Sequence, residues 1–199
     1  MRSFARISCI ILSAGHSGRM GMHKALLRFG KQDITFLEKI ALSYLEAGIS
    51  EVVVVVGGDL DEIVRQNHIE LPVNVRFVVN EHPEFGRFYS LATGLNHIQE
   101  GNSAFFQSID NPFVDPDLLA EMSLVLGKGE VVSPVYRGKA GHPVLISHKV
   151  SKAVVDKINS GLRIDHFLAT FNKIHILTEN QNILVNINSP EDYAQAFPE

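Results

Sequence analysis

Three glycines and two basic side chains lie close together just after the first apolar run of the chain. Gly15, Gly18 and Gly21 are spaced three residues apart, and Arg19 and Lys24 lie among and just beyond them. A glycine-rich backbone can point several N–H groups into one concavity, which binds anions. The arginine fork and the lysine ammonium add positive charge that suits phosphate oxygens. Ligands of an open α/β sheet bind beyond the carboxyl ends of its strands, so this loop predicts a polyphosphate site.

The same loop does not match three standard glycine motifs. A dinucleotide fingerprint needs the spacing G-x-G-x-x-G. A P-loop needs glycine directly before its lysine, where this chain has His23. A hydrolase nucleophile elbow needs glycine two residues after Ser17, where this chain has Arg19. Spacing alone therefore leaves a second interpretation open, namely a solvated turn with surface charges.

Asp110 is a second candidate for chemistry. It follows an apolar run and precedes Asn111 and Pro112. A carboxylate beside a polyphosphate suits Mg²⁺, which takes few protein ligands and completes its shell with phosphate and water oxygens. These surroundings are equally typical of an aspartate that begins a turn. The residues around Asp110 do not decide between the two roles.

The glycine-rich loop resembles a motif of the molybdenum cofactor nucleotidyltransferases. Residues 12–27, LSAGHSGRMGMHKALL, follow the pattern L-x-A-G-x-S-x-R-M-G-x-x-K-x-L-L without a gap. The resemblance implies a three-layer, Rossmann-like α/β fold with a mostly parallel mixed sheet and an antiparallel member, of the nucleotide-diphospho-sugar transferase type. It favours the polyphosphate site over the solvated turn. Further stretches match that family in order along nearly the whole chain: GRFYSLATGL, IDNPFVDPDLL, GHPVLI, SGLRIDHFL and VNINSPEDY.

The resemblance also implies a reaction and its site residues. The phosphate of molybdopterin would attack a nucleoside triphosphate and release pyrophosphate, with Mg²⁺ as the cofactor. Arg19 and Lys24 would grip the triphosphate and Asp110 would hold the metal, which makes these three the predicted catalytic residues. His142 and Arg163 would contact the acceptor; otherwise they are a loop residue and a surface arginine. The implied nucleotide-binding residues are Leu12, Ala14, Gly15, Ser17, Gly18, Arg19, Lys24, Asn80 and Ser90.

The last motif departs from the family pattern. Many relatives carry two aspartates where this chain has Asn186 and Asn188. An amide oxygen can coordinate Mg²⁺ but brings no charge, so Asn188 is a predicted metal ligand of weaker affinity than Asp110. The alternative is that Asn188 only shapes the turn before the last helix. Guanylyltransferase members of the family also carry asparagines at these two positions, whereas an alanine at the position of Ala14 is typical of the cytidylyltransferase members. We favour CTP as the nucleotide.

Two rival functions remain open at this stage. One is a nucleotidyltransferase that acts on a sugar phosphate or a phospho-alcohol. The other is a non-catalytic nucleotide- or cofactor-binding accessory protein for a molybdoenzyme, which the pair Asn186 and Asn188 supports best. The expected partners are a nucleoside triphosphate and molybdopterin or a related phosphate-bearing acceptor, with a molybdoenzyme as a further candidate.

The elements that must position these residues alternate along the first 125 residues. EVVVVV is a β-branched run without alternation, as in a parallel strand covered on both faces. Thr35 and Glu38 predict a capping box for the first helix and Gly48 its end, and Asp115 before Pro116 predicts another helix start. This alternation indicates a doubly wound sheet. The predicted strands are RISCIIL, EVVVVV, VNVRFVV and AFFQSI, and the predicted helices TFLEKIALSYLEAG, DLDEIVRQN, SLATGLNHIQEG and DLLAEMSLVL.

The rhythm changes after Gly129. EVVSPVY and PVLISH are predicted to be strands joined by a hairpin-like loop, which introduces the antiparallel member. Leu91, Leu95 and Ile98 are predicted core residues. Since no repeat or linker interrupts the chain, we expect a single domain over residues 1–199. The remaining predicted elements are the helices KVSKAVVDKI and RIDHFLATF, the strands KIHIL and ILVNI, and a last helix opened by SPED.

Composition limits the classes of partner. Eighteen basic and 22 acidic side chains among 199 residues give a net charge of −4. A binder of nucleic-acid backbone usually carries a positive surplus, so no nucleic-acid partner is expected. The one cysteine, Cys9, lies in an apolar run and predicts a buried thiol in a reducing compartment. No run approaches the length of a membrane span. We expect a cytoplasmic protein without a membrane partner.

Overall fold

The computed structural model of the chain describes residues 4, 6–15, 20, 22–58 and 71–198. The helix predicted over residues 59–67 lies outside them. The strands are β1 (Ile7–Ser13), β2 (Val52–Val56), β3 (Val75–Val79), β4 (Ser103–Ser108), β5 (Val131–Tyr136), β6 (Lys139–Ala140), β7 (Val144–Ile146) and β8 (Lys173–Leu177). The α-helices are α1 (Phe36–Ala47), α2 (Gly86–Leu95), α3 (Pro116–Val125), α4 (His148–Val155), α5 (Ile164–Leu168) and α6 (Pro190–Ala196). Short 3-10 helices cover Lys24–Leu26, Pro83–Phe85, Leu126–Lys128 and Gln181–Leu184.

The eight strands among the described residues form one mixed sheet. Its order is β3-β2-β1-β4-β7-β5, and both β6 and β8 pair with β5. Strands β3, β2, β1 and β4 are parallel to one another, and β8 is parallel to β5. Strand β7 is antiparallel to both of its neighbours, β4 and β5. The predicted fold class, a mostly parallel mixed α/β sheet with antiparallel members, is confirmed.

Strand β1 shows why this sheet needs helices on both faces. All seven of its residues are buried. Cys9 and Ile11 belong to the core shared with α1 and α3, whereas Ile10 and Leu12 belong to the core shared with α2 and α4. Side chains alternate across a strand, so a run of apolar residues without alternation must be covered twice. Cys9 is the buried free thiol that the sequence predicted.

The helix ends predicted from capping residues are confirmed. The Thr35 hydroxyl accepts a hydrogen bond from the Glu38 backbone N–H, Glu38 closes the capping box, and Gly48 ends α1 with a φ of 102°. The Asp115 carboxylate accepts hydrogen bonds from two backbone N–H groups in the first turn of α3. A second capping box, between Ser189 and Asp192, opens α6. Leu91 and Leu95 are buried, and Ile98 packs against the same core.

Two elements differ from the prediction. Helix α2 begins at Gly86 rather than Ser90 and ends at Leu95. The strand predicted over ILVNI is wrong, because Gln181–Leu184 is a 3-10 helix and the residues after it join no strand. Hydrogen bonds from loops satisfy its backbone instead. The carbonyl oxygens of Asn182 and Val185 accept hydrogen bonds from the Asn111 side chain. No described helix is long and apolar enough to cross a membrane.

Candidate active site

A small cavity lies where β1 and β4 end at the same edge of the sheet. Leu12 pairs with Ser108, and the backbone N–H of Ile109 donates to the Leu12 carbonyl at 3.0 Å, so the two loops leave the sheet side by side. We call this cavity, of about 150 Å³, the edge cavity. It is lined by Leu12, Ser13, Ala14, Gly15, His23, Lys24, Arg87, Ser90, Ser108, Ile109 and Asp110.

Six of the predicted site residues line the edge cavity together: Leu12, Ala14, Gly15, Lys24, Ser90 and Asp110. Three others, Ser17, Gly18 and Arg19, lie outside the described residues. Asn80 does not line the cavity and is fully buried. Its side-chain amide donates to the Ser90 hydroxyl at 2.9 Å, and its carbonyl oxygen accepts from the His82 backbone N–H. Asn80 therefore fixes the orientation of Ser90.

Lys24 is the charged centre of the edge cavity. Its ammonium donates to Asn188 Oδ1 at 2.5 Å and lies 4.0 Å from Asp110 Oδ2. The side chains of Lys24 and Asp110 are only 14% and 21% exposed, so solvent screens their attraction weakly. Residues from three distant parts of the sequence thus meet within contact distance of one ammonium group.

The start of α6 holds Asn188 in place. The Asn188 backbone N–H donates to the Asp192 carboxylate at 2.8 Å, within the cap of the helix. The neighbouring Ile187 N–H donates to the Asp110 carbonyl at 2.7 Å, which ties this segment to the loop after β4. Asn186 takes no part in this cluster. Its side chain donates to the Leu184 carbonyl and lines a different cleft.

The donors around Asp110 fit a hard divalent cation. Asp110 Oδ1 is buried and has no hydrogen-bond partner among the described residues. Those residues contain no cluster of three or more His, Cys, Asp or Glu side chains that could hold a metal. A single carboxylate oxygen suits Mg²⁺ bound mainly by phosphate and water, rather than a metal caged by protein. Asn188 Oδ1 already accepts a hydrogen bond from the Lys24 ammonium, so here Asn188 orients the lysine side chain.

A larger cleft lies on the face of the sheet next to the edge cavity. We call this cleft, of about 300 Å³, the face cleft. Leu12, Arg87 and Ser108 line both spaces. The other residues of the face cleft are Phe106, Val131, Ser133, Ala140, Gly141, His142, Val144, Ile164, Asp165, Leu168, Lys173, Ile183, Leu184 and Asn186.

The two predicted acceptor contacts differ in position. His142 lines the face cleft, whereas Arg163 does not. The Arg163 guanidinium is exposed and donates two hydrogen bonds to the Asp165 carboxylate, at 3.1 and 2.8 Å. These bonds lower the pKa of Asp165 to about 2. Arg163 therefore keeps an ionised carboxylate at the rim of the face cleft.

His142 lies in an environment that favours the neutral imidazole. Burial lowers its pKa, the charge of Asp110 opposes that shift, and the charge of Arg87 adds to it. Its Nδ1 is buried without a hydrogen-bond partner among the described residues. The His142 backbone N–H donates to the Ile183 carbonyl at 2.9 Å. Gly141 precedes it because a Cβ there would lie 2.2 Å from the same Ile183 oxygen.

Reasoning from the sequence missed two groups of functional interest. Arg87, on the first turn of α2, lines both the edge cavity and the face cleft. In the sequence it is only a basic residue shortly before the predicted helix, which does not indicate a binding site. The other group is a buried polar chain that carried no signal. Tyr44 donates to Gln107 at 2.8 Å, and Gln107 donates to the Asn111 carbonyl at 2.5 Å. Asn111 in turn binds the backbone of Gln181–Leu184 and its neighbours, so this chain positions the C-terminal segment beside Asp110.

Known proteins are similar to this chain in fold and, more distantly, in sequence. The chain is 24% identical over 192 residues to the molybdenum cofactor cytidylyltransferase of Escherichia coli K12, covering 96% of this chain and 95% of that enzyme. It is 26% identical over 204 residues to a probable molybdenum cofactor guanylyltransferase of Natranaerobius thermophilus, covering 96% and 94%. The crystal structure of Rv0371c from Mycobacterium tuberculosis H37Rv superposes with a TM-score of 0.83 at 21% identity, covering 99% of this chain and 100% of that one.

A second structure of Rv0371c is a complex with manganese; it superposes with a TM-score of 0.76 at 19% identity and covers 97% and 98% of the two chains. The strongest evidence for the family comes from the sequence itself. The pattern of the MobA-like NTP transferase domain matches residues 9–171, from the middle of β1 to beyond α5. The matched part contains both sides of the edge cavity, apart from the Asn188 segment. The chain therefore belongs to the MobA-like NTP transferase domain family.

Proposed function

We propose that this chain transfers a nucleotidyl group from CTP, in preference to GTP, to the phosphate of molybdopterin and releases pyrophosphate, with Mg²⁺ as its cofactor. The observation that carries the proposal is the edge cavity, where Lys24, Asp110 and Asn188 meet beside a cleft large enough for a second substrate. The relatives that are similar over nearly the full length are a molybdenum cofactor cytidylyltransferase and a probable molybdenum cofactor guanylyltransferase, which supports the acceptor.

The residues of the edge cavity suit in-line attack on a phosphorus atom. An oxygen of the acceptor phosphate forms a bond to the α-phosphorus of CTP as the bond to the pyrophosphate oxygen breaks. The Lys24 ammonium neutralises negative charge on the triphosphate, and Arg19 is proposed to do the same. Mg²⁺ held by Asp110 would supply further charge neutralisation at the phosphates. The acceptor phosphate is ionised at neutral pH, so the chain needs no general base, and catalysis comes from alignment and charge.

The choice of base is proposed to depend on Ala14. Ala14 is 8% exposed and lines the edge cavity directly after β1. Its methyl group narrows the space for a base, which favours the smaller cytosine over guanine. The Ala14→Gly variant removes that methyl group and is the matched change for testing base choice.

The decisive experiment compares pyrophosphate release from CTP and GTP with Mg²⁺ and molybdopterin present. We expect faster release with CTP, and a smaller preference in Ala14→Gly. A higher rate with GTP in the unmodified protein would overturn the proposed preference for CTP but would leave the proposed acceptor unaffected. Equal inactivity with both nucleotides would contradict the transferase proposal. If both ligands then still bound, the non-catalytic accessory function would replace it.

A further inference from the structure

Strand β8 forms one edge of the sheet. It pairs with β5 along Val131–Val135, whereas β7 and β6 pair with the two ends of the other side of β5. In the described part of the chain, no strand pairs with the outer side of β8. An unpaired edge strand presents a row of N–H and C=O groups with which a strand of another chain can pair.

Every second residue of β8 directs its backbone groups away from β5. At the two ends of the pair, the Asn172 carbonyl accepts a hydrogen bond from β5 at 3.1 Å and the Thr178 N–H donates one to β5 at 3.0 Å. Alternate residues of a strand bond to the same parallel neighbour. The residues that face outward are therefore Lys173, His175 and Leu177. Their N–H and C=O groups have no hydrogen-bond partner among the described residues.

The side chains of β8 leave this edge open. Leu177 is 81% exposed, and Lys173 and His175 are exposed as well. Ile174 and Ile176 point to the other face and pack against the core shared with α1 and α3. The strand sequence, KIHIL, contains no proline or glycine, residues that interrupt or limit pairing in many natural edge strands. The strand is thus regular enough to accept a further strand.

The pattern of β8 is complementary to itself in the antiparallel direction. A twofold axis at His175 would place Leu177 of each copy opposite Lys173 of the other copy. The three outward residues would then form hydrogen-bonded pairs, each of which exchanges both N–H···O=C bonds. On the other face, Ile174 would lie opposite Ile176 of the second copy. The apolar layer under α3 would continue across the axis.

Charges at the two ends of β8 favour the same orientation. Lys173 begins the strand and Glu179 follows shortly after its end; both are exposed. Neither side chain has a hydrogen-bond or ion-pair partner in the described residues. Antiparallel pairing would bring Lys173 of each copy near Glu179 of the other, as diagonal neighbours on one face of the sheet. The symmetry repeats this opposite-charge contact on both sides of the axis.

We propose that two copies of this chain associate through β8, in antiparallel register about His175, so that their sheets become one continuous sheet. The twofold axis runs perpendicular to the sheet, so equivalent faces of the two copies lie on the same side. An extended segment of another protein can also pair with an open edge. The self-complementary side chains and end charges favour a second copy. The proposal does not depend on the proposed reaction, because edge pairing involves neither nucleotide nor acceptor.

Sedimentation equilibrium of the full chain over a concentration series tests the association. We expect the mass to rise with concentration from 22.0 kDa towards twice that value. Leu177→Lys places like charges opposite each other twice and should weaken dimerisation by at least about tenfold. The matched control is Leu124→Lys, since Leu124 of α3 is 82% exposed. It should leave the dimer affinity within about twofold, as is typical of a surface substitution.

Two outcomes of this experiment would overturn the proposal. One is a mass of 22.0 kDa at every concentration, which would leave the β8 edge to another partner. The other is an equal effect of Leu177→Lys and Leu124→Lys, which would place the interface elsewhere. Melting temperatures of both variants check that each chain is folded.

Charge reversal tests the antiparallel register. Lys173→Glu places its new carboxylate near Glu179 of the second copy, and Glu179→Lys places its new ammonium near Lys173. Each variant alone should therefore dimerise about tenfold more weakly than the unmodified chain. An equimolar mixture restores both opposite-charge contacts in the heterodimer and should regain association to within about threefold. A mixture that associates no better than the separate variants would overturn the register.

Discussion

The edge cavity and the face cleft share Leu12, Arg87 and Ser108, yet they are built in opposite ways. In the edge cavity, charged and amide side chains from distant segments already contact one another, as Lys24 does with Asn188. In the face cleft, the floor is mainly apolar strand residues, and the exposed side chains of Arg87 and Lys173 have no hydrogen-bond or ion-pair partner among the described residues. The two cavities therefore suit different roles. In the proposed function, the edge cavity supplies the phosphate chemistry and the face cleft binds the acceptor.

The largest effect should come from Asp110, which belongs to the edge cavity alone. Asp110→Asn removes the carboxylate that lies 4.0 Å from the Lys24 ammonium and should lower kcat/KM for pyrophosphate release by about 100-fold or more, a scale of several kcal/mol. Molybdopterin affinity in the face cleft should remain within about twofold. The measurement is a Mg²⁺ titration of turnover beside a binding titration. Turnover close to that of the unmodified chain would remove Asp110 from the mechanism.

Lys24 should follow, with a loss of about tenfold to a hundredfold in kcat/KM for Lys24→Met, because one charge-assisted contact to phosphate disappears. The defect should appear with every acceptor, which sharpens the division between the two spaces. Lys152→Met, which removes a lysine ammonium from the surface of α4, is the control for loss of charge. An undiminished rate in Lys24→Met would show that the triphosphate is bound elsewhere.

Much of the fold could be predicted because long apolar runs specify their own burial. The five consecutive valines of β2 need cover on both faces wherever they lie, and the structure buries all five. ILVNI is also mostly apolar and rich in β-branched residues but forms no strand. Hydrogen bonds from Asn111 and His142 satisfy backbone groups there, and such long-range bonds leave no trace in local periodicity. Local sequence pattern therefore predicts an element when that element is stabilised by its own residues or is buried on both faces.

The two cavities differ in the same respect. Lys24 and Asp110 belong to short motifs whose residue types point to phosphate and metal, so the sequence could nominate them. The face cleft is assembled from one or two residues of each of six strands, such as Phe106 and Val144, which in sequence are ordinary core residues. Arg87 was missed for a related reason, since one arginine near a helix start is typical of a solvated surface. Only the pairing of β4, β7, β5 and β8 reveals the cleft.

Gly141 tests how tightly the loop beside His142 packs against the C-terminal segment. A Cβ in Gly141→Ala would lie 2.2 Å from the Ile183 carbonyl, so the C-terminal segment must shift. We expect a loss of about 1–3 kcal/mol in the free energy of unfolding, typical of overpacking. The control is Gly127→Ala, where no atom lies within 4 Å of the added Cβ. Chemical denaturation measures both, and equal stabilities would contradict the tight contact.

The smallest expected effect concerns His142, whose pKa is changed by the charges of Asp110 and Arg87. Burial and Arg87 lower its pKa from the ordinary value of 6.5, against the opposing charge of Asp110. Because the folded state binds the proton more weakly than the unfolded state, stability contributed by neutral His142 is fully present above pH 6.5. It is lost as the pH falls through the lowered pKa.

In metal-free buffer, the free energy of unfolding of the unmodified chain should therefore decline more steeply below pH 6.5 than that of His142→Gln. Denaturation curves at a series of pH values measure the difference. Parallel declines would contradict the lowered pKa of His142. A steeper decline in the unmodified chain would show that burial and the Arg87 charge oppose a positive charge on His142, which lowers its pKa.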